Sequence, residues 1–146
     1  QVLAAHPVSL VRAVGHIGAG HVHLAAGRLP QAAEQANLAL RALRMASGGQ
    51  ALVTPAFQQL QGEFLLRTGE RDKGRAMLRD VVRTVRGLPG PDNWVQALFA
   101  LESIARTARV SGDWEFALWA AQQMLEHDPR YAGSHYARAL VARQAG

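Results

Sequence analysis

The stretch Gly112-Asp113-Trp114-Glu115-Phe116-Ala117-Leu118 is closely followed by Met124-Leu125-Glu126-His127-Asp128-Pro129. Glycine readily takes the left-handed backbone on which helices end, and an aspartate just after it can accept the free N–H groups that open the next helix. Proline disfavours helical backbone in the residue before it, so Asp128-Pro129 is a stop. Two helices therefore meet at Gly112, and the second closes at Asp128. The same punctuation recurs in Ala26-Gly27-Arg28-Leu29 and Thr68-Gly69-Glu70-Arg71, and Ala145-Gly146 closes a last helical stretch. Gly27, Gly69, Gly112 and Gly146 lie 42, 43 and 34 residues apart. Such spacing marks the tips of successive helical hairpins.

The helix starts agree with this. Thr54-Pro55 is an N-cap followed by proline at the first helical position, Pro91-Asp92-Asn93 offers a second capped start, and Pro30 sits in a first turn, where its missing N–H costs nothing. Ser47-Gly48-Gly49 and Gly87-Leu88-Pro89-Gly90-Pro91 are breaks. The pattern predicts seven helices over 8–26, 30–46, 55–68, 71–86, 93–111, 114–127 and 131–145. Short connections imply antiparallel neighbours. No stretch alternates with the period of a strand.

The segment from Leu98 to Tyr131 resembles a tetratricopeptide repeat (TPR), in which a Gly-Asp-aromatic-Glu-x-Ala turn joins helix A to helix B and an apolar pair followed by Asp-Pro closes helix B. Ala105, after Leu101 and Ile104, stands where the family has a small residue in helix A, and Ala139 would repeat it one 34-residue period on. Ala117 is the small residue of helix B, with Leu118, Met124 and Leu125 filling the groove. A looser copy has Gly62, Gly69, Gly74, Leu78, Val81 and Val82. The loosest has Gly20, Gly27, Ala32, Ala36, Ala39 and Leu40, with His16 and His23 where large apolar residues are usual. The first two copies are each eight or nine residues too long, which places longer helices or loops near 47–54 and 87–97. The resemblance implies an all-α, right-handed superhelix: one domain over 1–146, hairpins over 8–46, 55–86 and 93–127, and an extra helix 131–145. Both ends read as mid-repeat, so the chain is expected to be a piece of a longer array. Stretched repeats of this kind are similar to arrays in large bacterial signalling and transcription regulators.

Composition narrows the classes. The chain has 146 residues, 49% hydrophobic, enough for one packed domain. Only 6% are aromatic, and there is no cysteine. Disulfides, thiolate metal sites and cysteine nucleophiles are excluded. No apolar run reaches the roughly 18 residues of a membrane-spanning helix. The first residues do not read as a signal peptide, with neither its basic nor its apolar region. The compartment is left open, with a cytoplasmic one favoured. Net charge is +5, carried by arginine except for Lys73. That allows an acidic partner and does not by itself indicate nucleic acid.

No residue grouping marks an enzyme. His16, His21 and His23 lack the i,i+4 spacing of paired helical metal ligands and read as packed or partly exposed side chains. His127 belongs to the closing turn. No nucleophile elbow or phosphate loop is present, and no metal or cofactor is expected. Arg71, Arg75, Arg79 and Arg83, with Arg86 beyond, form one helical stripe. It is read as a solvated outer face; a basic ridge for phosphate or an acidic protein is the alternative. The resemblance implies that helix A residues line a concave groove, which here would hold His21, Gln59, Glu63, Arg67, Glu102, Arg106, Arg109, Tyr136 and Arg143. The lysine and asparagine set of chaperone-tail clamps is absent from this surface. The expectation is a non-enzymatic scaffold that binds a peptide or protein segment there, with self-association allowed and nucleic acid disfavoured. The alternative is a sensor or regulatory segment of a larger regulator.

Overall fold

The computed structural model describes residues 7–49 and 54–145. Among them are seven α-helices and no strand: α1 (Pro7–Ala25), α2 (Leu29–Ala46), α3 (Pro55–Arg67), α4 (Arg71–Gly87), α5 (Pro91–Val110), α6 (Trp114–His127) and α7 (Ala132–Ala145). The expected helices are all present within a few residues. Val2–His6, Gln50–Val53 and Gly146 lie outside the described residues. The largest boundary shift is at α5, which begins at Pro91 because Gly90, at φ 94°, makes the turn into it. The second length excess is therefore mostly helix: α5 has 20 residues, and only 88–90 separate it from α4.

The three hairpin turns are built alike. Gly27, Gly69 and Gly112 take φ values of 78°, 90° and 75°. In each turn the glycine N–H returns to one carbonyl of the ending helix and the next N–H to the carbonyl before it: Gly112 to Arg109 (3.0 Å) and Asp113 to Ala108 (2.8 Å), Gly69 to Leu66 (3.3 Å) and Glu70 to Leu65 (2.9 Å), Gly27 to Leu24 (3.1 Å) and Arg28 to His23 (2.8 Å). This is the paired bonding of a Schellman motif, which satisfies carbonyls that a helix end leaves free. Arg28, Glu70 and Asp113 then act at once as the N-caps of α2, α4 and α6, with nearly equal dihedrals (φ −86°, −88°, −94°; ψ 75°, 67°, 74°). Asp113 adds a side-chain cap to the Phe116 N–H, and Thr54 does the same for Phe57 in α3.

Each hairpin packs most closely on itself, and the odd helices also touch in succession, α1 on α3, α3 on α5 and α5 on α7. Two apolar clusters result. One joins Ile17, Leu24, Ala39 and Leu43 of the first hairpin to Phe57 and Leu60 of α3. The other runs from Leu66 and Leu78 through Leu101, Ile104 and Phe116 to Val141 of α7. Small residues set the spacing. A Cβ on Gly62 would stand 2.6 Å from Leu78 Cγ, and one on Gly74 3.0 Å from the Gly62 carbonyl oxygen, so α3 and α4 cross nearly backbone to backbone. Ala105 and Ala117 are buried as expected. Leu118 is not: it stays 36% exposed. Ala139 is exposed as well, since none of the described helices packs on that side of α7.

Candidate functional site

All nine residues expected to line a groove lie on odd helices. Their places on that face differ. Glu63 is only 1% exposed, at the meeting of α1, α3 and α5. Its carboxylate accepts hydrogen bonds from the hydroxyls of Thr107 and Ser103 on α5 and from Gln59 Nε2 (2.7 Å) on α3. His21 Nδ1 of α1 approaches it at 3.9 Å. Its acceptor positions are thus filled from within, and it ties three helices together instead of facing a partner. Ser103 and Thr107 were not singled out in the sequence. Their signal is an i,i+4 polar pair among Leu101, Ile104, Ala105 and Ala108.

Above this carboxylate lies a cavity of about 60 Å³ walled by His21, Glu63, Arg67, Ser103, Arg106 and Thr107. Gln59, Arg67, Glu102 and Arg109 are half-buried; Arg106, Tyr136 and Arg143 are exposed. Among the described residues Arg67, Arg106, Arg109 and Arg143 have no carboxylate partner. The odd face therefore brings His21, Gln59, Glu63, Arg67 and Arg106 together at its centre, while Glu102, Arg109, Tyr136 and Arg143 extend it over α5 and α7. The other histidines have local partners: His16 Nδ1–H donates to Gln35 Oε1 (2.7 Å), and His23 Nδ1 accepts from Arg28 Nε (2.9 Å). Among the described residues no group of three or more histidines, aspartates or glutamates is placed to hold a metal ion. No helix of the described residues is long and apolar enough to cross a membrane.

The arginine stripe of α4 is an exposed face at Arg71, Arg79 and Arg83, as expected, and at the same time a seam to α6 and the turn before it. Arg75 grips Asp113 with Nε (2.9 Å) and Nη2, and reaches Glu115 (3.2 Å). Burial pushes the Asp113 carboxyl up, but the Arg75 hydrogen bonds, the Phe116 N–H and the charges of Arg75 and Arg71 outweigh it and hold it below the usual carboxylate range. The Asp113 hydrogen bond in turn raises the Arg75 guanidinium above its ordinary value. Arg71 donates to the Ser111 carbonyl (3.4 Å). Arg79 lies over the rings of Phe116 and Trp119 (5.4 and 5.7 Å to the centroids), and Arg86 reaches Gln123 and Glu126 of α6. Arg71 and Arg79 remain exposed while making these contacts, and Arg83, 76% exposed, reaches no residue of α6 and pairs with Asp80 one turn back.

The same seam opens into a cavity of about 530 Å³, whose walls include Arg79, Arg83 and Arg86 of α4, Trp94 of α5, and Trp119 and His127 of α6. Trp94 is 44% exposed and stacks on His127 at 3.8 Å, while His127 Nε2–H donates to the Trp94 carbonyl (3.0 Å). The sequence offered one signal here, two of the chain's three tryptophans in a protein poor in aromatics. No protein-family model, curated protein or solved structure matches the chain.

Proposed function

We propose that the chain is a non-enzymatic interaction module of the tetratricopeptide-repeat kind, which holds an acidic segment of another protein across its odd-helix face. The observation that carries this reading is the row of Arg67, Arg106, Arg109 and Arg143. These guanidiniums lie on three successive odd helices and have no carboxylate partner among the described residues, while the central acid, Glu63, is buried beside Arg67 and Arg106. A guanidinium fork pairs with a carboxylate through two parallel hydrogen bonds, so such a row suits an extended acidic chain. The three like turns support the repeat kinship. So does the 34-residue step from α5 to α7, which sets Tyr136 and Arg143 where the previous helix has Glu102 and Arg109. Tyr136, 66% exposed, offers a rigid amphipathic contact at one end of the row.

The test is fluorescence anisotropy with labelled peptides, one set rich in Asp and Glu and one lysine-rich control set. An acidic peptide should bind saturably and release as salt rises, and Arg106→Glu with Arg109→Glu should abolish that binding without changing the circular dichroism. Undiminished binding by the double variant, or equal binding of acidic and basic sets, rejects the reading.

A further inference from the structure

We propose that the cleft between α4 and α6 is a second site, independent of the odd-helix face, that binds a small aromatic anion: a flat ring bearing a phosphate, sulfate or carboxylate. Its volume of about 530 Å³ is that of a single-ligand pocket. A protein partner would instead need about 20–30 residues on each side, more than the ten that line this cleft.

Charge selects an anion. Three arginines line the cleft against one carboxylate, Glu126. Arg86 is already engaged by Gln123 and Glu126. Arg79 has no carboxylate partner among the described residues and rests on the Phe116 and Trp119 rings. Among the described residues Arg83 pairs only with Asp80, and both side chains are well exposed (76% and 65%), a pairing that a desolvated anion readily displaces. Two guanidiniums are thus available at the cleft wall.

The aromatics select a flat body. Trp94 is fixed by stacking on His127 and by its indole N–H on Asp128 Oδ2 (3.4 Å), and is still 44% exposed. Trp119 is fixed by stacking on Phe116 at 4.9 Å. Rings already held in place lose little freedom when a ligand stacks on them. The ligand's ring would lie against Trp94 and Trp119, and its anionic group would reach Arg79 and Arg83.

The probe is 1-naphthyl phosphate, titrated against the full chain by tryptophan fluorescence and calorimetry. One saturable site with quenching is expected, and 1-naphthol and inorganic phosphate should each bind at least about tenfold more weakly. Arg79→Gln with Arg83→Gln should weaken the probe by about tenfold or more. Arg83→Glu, at a side chain too exposed to affect folding, should weaken it on its own. The Arg106→Glu/Arg109→Glu variant should bind the probe as the parent does, which separates this site from the odd-helix face. Absence of saturation, naphthol binding as tightly as its phosphate, or unchanged binding by Arg83→Glu overturns the proposal. An acidic aromatic peptide that binds the cleft more tightly than the probe does so too, because it would make the cleft a protein-docking surface.

Discussion

Replacing Gly62 by alanine sets two effects of opposite sign against each other. Alanine in place of glycine inside a helix is worth about 1 kcal/mol in propensity. The new methyl, however, would stand 2.6 Å from Leu78 Cγ and 2.7 Å from Leu78 Cδ2, against an ordinary carbon–carbon contact of about 3.5–4.0 Å. Leu78 is 0% exposed and has no room to swing aside. Gly74 behind it leaves no slack either, with its own missing Cβ position 3.0 Å from the Gly62 carbonyl oxygen and 3.2 Å from Leu65 Cβ. Overpacking of this size costs about 1–3 kcal/mol, so a net loss of about 1 kcal/mol is expected. Gly18→Ala in α1 is the control: nothing lies within 4 Å of its Cβ position, and it should gain most of the propensity term. The two variants should differ by about 2 kcal/mol, or about 4–8 °C in melting temperature for a chain of this length. Chemical and thermal unfolding followed by circular dichroism reads this directly. A Gly62→Ala protein as stable as the Gly18→Ala protein would refute the inference that α3 and α4 touch at this crossing.

Two more expectations concern buried polar groups. Glu63→Leu leaves the Ser103 and Thr107 hydroxyls and the Gln59 amide without their acceptor, and should cost about 2–3 kcal/mol. Adding Thr107→Val should then cost less than it does in the parent, a coupling of at least about 0.5 kcal/mol in urea unfolding; strict additivity would show that the carboxylate is not the shared acceptor. Asp113, whose folded-state pKa is depressed, contributes stability that is present in full above its ordinary value of 3.8 and lost as pH falls through the lower folded value. The stability gap between the parent and Asp113→Asn should therefore be constant near neutrality and shrink below about pH 4, and a gap that stays constant in acid contradicts the Arg75–Asp113 tie.

The helices were legible because their ends are chemical. Gly27, Gly69 and Gly112, Thr54-Pro55 and Asp128-Pro129 act on backbone within a few residues of themselves, and local rules suffice. The site was legible only as far as the helix face. The helical spacing puts Glu63 on the odd-helix face but not under it: its burial depends on Thr107, 44 residues away, and on how closely α5 approaches α3. The arginine stripe has the same cause. Its spacing is a property of α4 alone, whereas its role depends on Asp113 and Gln123, 38 and 37 residues further on. Leu118 differs for the converse reason: a position in a repeat pattern does not by itself bury a side chain, and this one stays 36% exposed.

Because Arg28, Glu70 and Asp113 each end one helix and cap the next, the hairpin turns hold no spare residue and act as phase locks. One residue inserted at any of them would rotate the following helix by about 100° about its axis. At the third turn that would swing the α6 side chains away from the α4 arginines, and at the second it would carry the Gly74 face away from Gly62. Length variation in such a chain is confined to the helices and to the segments between hairpins. The turns stay at three residues while the hairpins differ in length, and lineages or designs that lengthen the array should place insertions at 47–54 or 88–90 and leave 26–28, 68–70 and 111–113 alone.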